Sequence, residues 1–269
     1  MNANIIRKKI ALHSKLYADK YSIPIRTITP TGVIIFKTYG DNLHGNFLQA
    51  SYKNILINNS WKSRLDKSHT SFSKNKNIKE LDSANSSDAL LMNIFCHPHI
   101  TKYKGVRKLF NLTLLPLPEF GWQARLKKTG TQDNTEIDMK MGDILIEAKL
   151  TEPDFQEISI TEMLKYDDFM IVFDTNHLIQ NNRKYLNYQI IRNILAAYQW
   201  NFRYYLICDI RRPDLIRNYL NTLICVKNIS IRKRCNLVTW QEIAIFCGKE
   251  IRNFLYEKYG INNNLSNSA

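Results

Sequence analysis

The sequence predicts an α/β protein with a mixed central sheet flanked by helices. Three observations carry that expectation. Ser86-Ser87 stand directly before Asp88-Ala-Leu-Leu-Met-Asn-Ile-Phe, an N-cap signal followed by an apolar helix. Residues 119–126, 135–139 and 143–150 then read as three strands with short links, the pattern of an antiparallel meander. From Lys184 onward helical and strand-like runs alternate, which adds a parallel component to the sheet.

Taken in chain order, the first twenty residues are basic, and Lys8, Lys9, His13 and Lys15 interrupt any apolar run, so an amphipathic helix is expected rather than a signal peptide. Residues 1–58 contain short apolar patches such as Val33-Ile-Ile-Phe among turn residues, and their pattern selects no fold. Residues 62–87 are rich in Ser, Asn and Lys and read as an exposed loop: a solvated linker, or alternatively an arm that touches DNA. In 119–126, Phe120, Trp122, Ala124 and Leu126 alternate onto one face of a strand. A turn at 140–142 joins the next two strands. Residues 184–200 carry apolar side chains three and four apart, a helix with an Ile/Leu face. A buried strand over 204–209 follows, then a helix opened by Pro213 and reaching about residue 223. Residues 236–240 form a short strand, and 240–259 a last amphipathic helix stopped by Gly260. The polar end of the chain, 262–269, is expected to fray.

Composition narrows the function classes. Apolar residues make up 44% of the 269, with 12 Phe and 14 Tyr, enough for a buried core and too many for a disordered chain. Lys and Arg number 38 against 24 Asp and Glu, a net charge of +14. Such an excess points to a polyanionic partner, nucleic acid ahead of acidic membranes, with solubility as the plainer explanation. No apolar run is long enough to span a bilayer. The five cysteines, Cys96, Cys208, Cys225, Cys235 and Cys247, are odd in number and widely spaced, and two lie in apolar runs, so buried free thiols and a reducing cytoplasm are expected.

The chemistry concentrates in Thr135-Glu-Ile-Asp-Met-Lys-Met-Gly-Asp-Ile-Leu-Ile-Glu-Ala-Lys-Leu-Thr-Glu-Pro. Side chains two apart share a strand face, so Glu147 and Lys149 point one way while Ile144, Ile146, Ala148 and Leu150 point into the core. Glu136 and Asp138 share a face of the preceding strand. If the two strands pair around Gly142, Asp138 lies near Glu147. Two carboxylates held close repel each other and are poorly solvated. A divalent cation relieves both penalties, and hard oxygen ligands favour Mg2+ or Mn2+ over zinc. The plainer reading of Glu-x-Lys on a strand is a surface ion pair of little energetic weight.

Asp138 followed after a short turn by Glu147-Ala148-Lys149 resembles the PD-(D/E)XK nuclease superfamily, which includes many restriction endonucleases. The likeness continues through Ser86-Ser87-Asp88-Ala-Leu-Leu-Met-Asn-Ile-Phe, Thr135-Glu-Ile-Asp, Tyr188-Gln-Ile-Ile-Arg-Asn and Val238-Thr-Trp-Gln-Glu, which together look like a bacterial restriction-endonuclease-like branch. It spans roughly residues 80–250 and leaves the first part of the chain unmatched. The resemblance implies a restriction-endonuclease-like αβββαβ core, and metal-dependent hydrolysis of DNA that leaves a 5′-phosphate and a 3′-hydroxyl. It implies that Asp138, Glu147 and the Ala148 carbonyl ligate the metal while Lys149 acts on the attacking water or the transition state. Ile137 replaces the proline that gives the superfamily its name. Glu119 could match an upstream acidic residue of many members, although it starts a strand rather than lying on the first helix. Glu136, and Gln189 with Arg192 from the following helix, are further accessory candidates, and the polar edge of an amphipathic helix explains the last two as well.

The resulting division is an N-terminal extension over 1–80 with a polar basic loop, a nuclease-like domain over 81–260 and a tail over 261–269. Lys227, Arg232, Lys233 and Arg234 form a basic segment that either contacts phosphates or is solvated charge. Cys96-His97-Pro98-His99 has no partner pair at zinc spacing and reads as a helix terminus. The function expected is a metal-dependent DNA endonuclease, in a restriction-type defence role, acting as a homodimer if both strands are cut. A cognate methyltransferase is the partner that a restriction–modification system would add. The rival expectations are a catalytically silent DNA-binding protein of the same fold and, more remotely, an enzyme acting on a phosphorylated small molecule.

Overall fold

A computed structural model describes residues 1–68 and 78–262. Part of the expected polar loop (69–77) and all but the first residue of the expected frayed end (263–269 of 262–269) lie outside the described residues. The chain divides into two compact units, one over Pro116–Val238 and one over Asn2–Leu115 completed by residues from Thr239 onward. Residue 80, where the sequence suggests a boundary, lies inside the second unit.

The fold is mixed α/β, as the sequence predicts. Its central sheet has five strands: β1 (Glu119–Gln123), β2 (Glu136–Met141), β3 (Ile144–Ala148), β4 (Arg203–Cys208) and β5 (Cys235–Thr239), in the spatial order β5-β4-β3-β2-β1. β1 pairs antiparallel with β2 and β2 antiparallel with β3, so the expected meander is present. β4 pairs parallel with β3, which makes the sheet mixed. The turn between β2 and β3 is tight because Gly142 takes φ +60°, a left-handed conformation that a side chain would oppose. β3 is buried at every residue, as a central strand covered on both faces must be. The helices Tyr188–Gln199 and Pro213–Ile224 pack against β3 and β4.

Two expected elements of this unit differ in extent, and one segment gains a helix that was not expected. The strand expected over 119–126 stops at Gln123: Arg125 has φ +51°, and Leu126–Lys128 turns away to pair with Thr131–Asp133 in a separate hairpin. The helix expected over 184–200 begins only at Tyr188, because Lys184–Leu186 is a strand paired with Glu157–Ser159 and Gln180–Asn181. Left-handed Asn187, φ 60°, separates the strand from the helix. The basic segment at 227–234 holds a short helix, Ile229–Arg232, capped by the Asn228 side chain.

In the second unit, Ala3–Lys20 is the expected N-terminal helix, capped by Asn2, and Ser87–Phe95 is the expected helix capped by Ser86. The exposed loop expected over 62–87 is overturned at its end, since Leu81 and every residue from Asp82 to Ser87 are buried. Hydrogen bonding makes that burial possible: Asn46 donates to the Leu81 and Ser83 carbonyls at 2.7 and 2.8 Å, and Asp82 faces His44 at 3.1 Å. The single helix expected over 240–259 is two, Trp240–Phe246 and Lys249–Tyr259. They break at Gly248, whose backbone lies so close to Tyr103 that a Cβ would meet its hydroxyl at 2.2 Å. All five cysteines are free and buried, and among the described residues no helix is long and apolar enough to cross a membrane.

Candidate active site

On β2 the side chains alternate: Ile137, Met139 and Met141 are buried, while Glu136, Asp138 and Lys140 are half-buried. The register pairs Met139 with Ile146, and one step further along this antiparallel ladder sets Asp138 opposite Glu147. Asp138 Oδ2 accepts a hydrogen bond from the Ala148 backbone N–H at 2.8 Å, which ties its carboxylate across the end of β3. Glu147 is wholly buried, and its Oε1 accepts from Lys149 Nζ at 2.7 Å. Lys149 is 5% exposed, its backbone N–H donates to the Ile207 carbonyl at 2.8 Å, and its ammonium lies 5.8 Å from the centre of the Phe155 ring. The three residues singled out in the sequence therefore converge, and Asp138 is the member that solvent reaches.

The following helix contributes a residue that the sequence reading missed. Asn193, wholly buried, donates to Glu147 Oε2 at 2.7 Å. Its own side-chain oxygen accepts from Arg192 Nε at 3.2 Å and Nη2 at 3.0 Å, and Arg192 Nη2 also donates to the Glu136 carbonyl at 2.9 Å. Arg192 thus braces both β2 and the amide that holds Glu147. The signal was present: Asn193 interrupts the apolar stripe of Ile190, Ile194 and Ala197, and a polar side chain there needs a partner. A further network supports the same helix. Tyr166 donates to Asp133 Oδ2 at 2.6 Å and lies 2.8 Å from the Tyr188 hydroxyl, and the Tyr188 ring faces the Arg192 guanidinium at 5.8 Å.

The other candidates fall outside this cluster. Gln189 is half-buried, and its backbone N–H donates to the Phe155 carbonyl at 3.0 Å. Glu119 is exposed and pairs with Lys140 across β1 and β2. Arg232 donates to the Val226 and Ile224 carbonyls and Arg234 to the Phe202 carbonyl, so both guanidinium groups brace the local backbone, while Lys227 and Lys233 are exposed. Cys96 is the C-cap of Ser87–Phe95, and His97 contacts Glu250 at 3.1 Å, consistent with a helix terminus. Glu152, also missed, accepts from the Leu150 N–H at 2.6 Å and acts electrostatically on Lys149.

Charge in the cluster is balanced from within. Burial alone would push the Lys149 amine down, but the carboxylates of Glu147, Glu152 and Asp138 hold it above the ordinary lysine range. Burial likewise opposes ionisation of Glu147, yet Lys149 and Arg192, with the hydrogen bonds from Lys149 and Asn193, keep it below the ordinary carboxylate range. The donor set suits a hard cation. A carboxylate offers about four lone-pair sites, and each Glu147 oxygen accepts one of the side-chain hydrogen bonds described above. Among the described residues no three His, Cys, Asp or Glu side chains converge on a metal site. A metal here would rest on Asp138, Glu147 and the Ala148 carbonyl, with water completing the shell, a pattern that magnesium accepts.

A family model described as Restriction Endonuclease associating with ARP matches residues 15–260. The match includes the segment before residue 80 that the sequence reading left unmatched. No curated protein and no solved structure matches the chain.

Proposed function

The chain belongs to the restriction endonuclease family described as associating with ARP, and on that premise we propose that it is a metal-dependent endonuclease hydrolysing DNA phosphodiester bonds at Asp138, Glu147 and Lys149. The observation that carries this reading is the convergence of one ammonium and two carboxylates on a sheet where apolar residues would pack at less electrostatic cost. A magnesium or manganese ion held by Asp138, Glu147 and the Ala148 carbonyl would supply Lewis acidity for the phosphate and for water. Lys149, whose ammonium donates to Glu147, orients the attacking water and the phosphate oxygen on which charge develops. Water oxygen bonds to phosphorus as the bond to the 3′ oxygen breaks, and the proton released ends on the 3′-hydroxyl. Asn193 and Arg192 fix Glu147 so that its carboxylate need not reorganise during the reaction.

The net charge of +14 suits a DNA backbone held by Lys and Arg, so binding should weaken steeply with salt. Cutting both strands calls for two active sites, and a homodimer supplies them. Five buried free thiols suit a reducing cytoplasm, and a methyltransferase of matching specificity is the partner that would protect host DNA. A second reading, a DNA-binding protein without catalysis, is favoured by one feature: Glu147 has no exposed surface, and both its oxygens are hydrogen bonded.

Supercoiled plasmid separates the two. Cleavage is expected with Mg2+, and it should vanish with EDTA and in Asp138→Ala. Retarded plasmid that is never nicked in any divalent metal would leave the binding reading alone.

A further inference from the structure

The helix Ala3–Lys20 is apolar on two opposite sides, and its own unit covers only one of them. Ile6, Ile10, Ser14 and Ala18 recur every four residues and are buried. That side is anchored: the Ser14 hydroxyl donates to the Lys258 carbonyl at 3.2 Å, and the Tyr17 ring meets Phe254 edge-on at 5.7 Å. Ile5, Leu12 and Leu16, by contrast, are 45, 60 and 58% exposed. At 3.6 residues per turn these three fall within about 40° of one another, on the side away from Ile10 and Ser14. Single exposed apolar side chains are ordinary, but a row of three on one helix face is a contact surface in waiting. Ile5 and Leu12 precede the residues 15–260 that the family model matches, so family membership does not account for the row.

Lys9 completes the row and gives it a register. Ile5, Lys9, Leu12 and Leu16 are spaced by four, three and four residues, the a/d rhythm of a coiled-coil seam with Lys9 and Leu16 at a and Ile5 and Leu12 at d. Lys8 and Lys15 then fall at g, and His13 and Lys20 at e, the flanking positions whose charges choose a partner. A second copy would bring lysine against lysine in either orientation: Lys15 against Lys20 if parallel, Lys8 against Lys15 if antiparallel. Self-pairing is therefore disfavoured.

The charges point to an acidic occupant. Lys8 and Lys9 are exposed and pair with no acid among the described residues. Lys15 pairs with Asp19 and Lys20 with Glu257 at the surface, where such pairs exchange at little cost. A helix with Glu at its own e and g positions and a carboxylate facing Lys9 would satisfy the whole set. A bilayer would have to take Lys9 in among acyl chains, with no carboxylate opposite. DNA phosphates would use the lysines and leave Ile5, Leu12 and Leu16 in water.

We propose that the exposed face of Ala3–Lys20 is a docking seam for an acidic amphipathic helix of a partner protein, with Leu12 and Leu16 as its anchors and Lys8, Lys9 and Lys15 selecting the charge. The seam is independent of DNA cleavage and is tested without it. Full-length protein is titrated into a fluorescein-labelled synthetic peptide of three heptads, with Leu at a and d and Glu at e and g, and binding is read by anisotropy. This peptide should bind about tenfold more tightly than one with Lys at e and g, and than one of its own composition in scrambled order. Leu12→Gln with Leu16→Gln should weaken it by about tenfold or more. Lys8→Glu with Lys9→Glu should weaken the acidic peptide and favour the lysine peptide instead. All four substituted side chains are exposed, so both variants should keep the wild-type circular dichroism. No binding, equal binding of the scrambled peptide, or binding that survives the leucine substitutions would overturn the proposal. If the peptide fails, sedimentation with phosphatidylglycerol vesicles that is lost in the leucine variant would assign the face to a lipid surface. A dimer lost in the same variant would assign it to a second copy.

Discussion

Among the described residues each unit buries one lysine, and the two are handled in opposite ways. Lys149, in the unit over Pro116–Val238, lies among Glu147, Glu152 and Asp138, which hold its amine above the usual range. Lys258, in the other unit, is wholly buried, donates to the Asn46 carbonyl at 2.7 Å and is ringed by Phe36, Phe254 and Tyr259 at 4.9, 5.0 and 5.0 Å. Burial pushes its amine well below the usual range. Residue type and depth are the same, so neighbouring charge alone decides which state is favoured. Neutral acceptors and ring faces serve a structural lysine, whereas acids packed around an amine form an electrostatic cluster that packing does not require.

Activity should break the comparison most sharply. Lys149→Met is expected to reduce plasmid cleavage roughly 100- to 10,000-fold with circular dichroism unchanged, the range for removing a group that acts on the reacting atoms. Lys258→Met, assayed below its melting temperature, should remain within about threefold of wild type, because it acts on folding. Equal losses in the two variants would erase the functional difference between the two lysines.

Stability comes next. Glu147→Ala leaves Lys149 and Arg192 buried without their carboxylate, and chemical denaturation should show a loss of about 3–5 kcal/mol. Replacing both ends together, Glu147→Gln with Lys149→Met, should recover part of that loss, since the buried ammonium is removed with its carboxylate while Arg192 remains. Asn193→Ala should cost about 1–3 kcal/mol, the range for leaving a buried acceptor unsatisfied. A neutral Glu147→Ala would mean that solvent enters the cluster.

This asymmetry also explains what the sequence could reveal. Glu147-x-Lys149 was legible because strand alternation is local: two residues apart on β3 means one face whatever the rest of the chain does. Asp138 was legible through the Gly142 turn, which sets the register. Lys258 was not. It follows Glu257, which pairs with Lys20 on the surface, and only packing across more than two hundred residues of chain buries it. The same limit applies at 82–87, where Ser and Asn read as solvent-facing until partners distant in sequence such as Asn46 are in place. It applies as well to Lys184–Leu186, whose helical spacing yielded to strand pairing with Glu157–Ser159. Period and turn chemistry travel with the sequence, whereas long-range hydrogen bonding does not.

Alkaline titration sharpens the contrast at smaller amplitude. A group whose folded pKa is depressed contributes stability that is present above its unfolded pKa and is lost as pH falls through the folded value. For Lys258 the unfolded value is about 10.4. The stability difference between wild type and Lys258→Met should therefore rise with pH up to that point, by at most about 1.4 kcal/mol per pH unit. The folded pKa of Lys149 is raised, so its contribution is full below about 10.4 and is lost only as pH rises through the higher folded value. Wild type against Lys149→Met should thus show no slope between pH 8 and pH 10. Parallel slopes for the two lysines would show that their surroundings do not differ in charge.

The smallest effect is expected from a third lysine–carboxylate pair, on the same sheet as the cluster. Glu119 and Lys140 are directly cross-strand neighbours, as Asp138 and Glu147 are, but the Glu119 side chain is 55% exposed. Water already solvates it, so an ion pair there contributes about 0.5 kcal/mol or less and is screened by salt. Glu119→Gln should shift the denaturation midpoint barely at all and leave cleavage within roughly twofold of wild type. A large fall in cleavage would instead make this carboxylate a fourth member of the site, reached by DNA or metal from solvent. Burial would then no longer be what separates working acids from surface charge on this sheet.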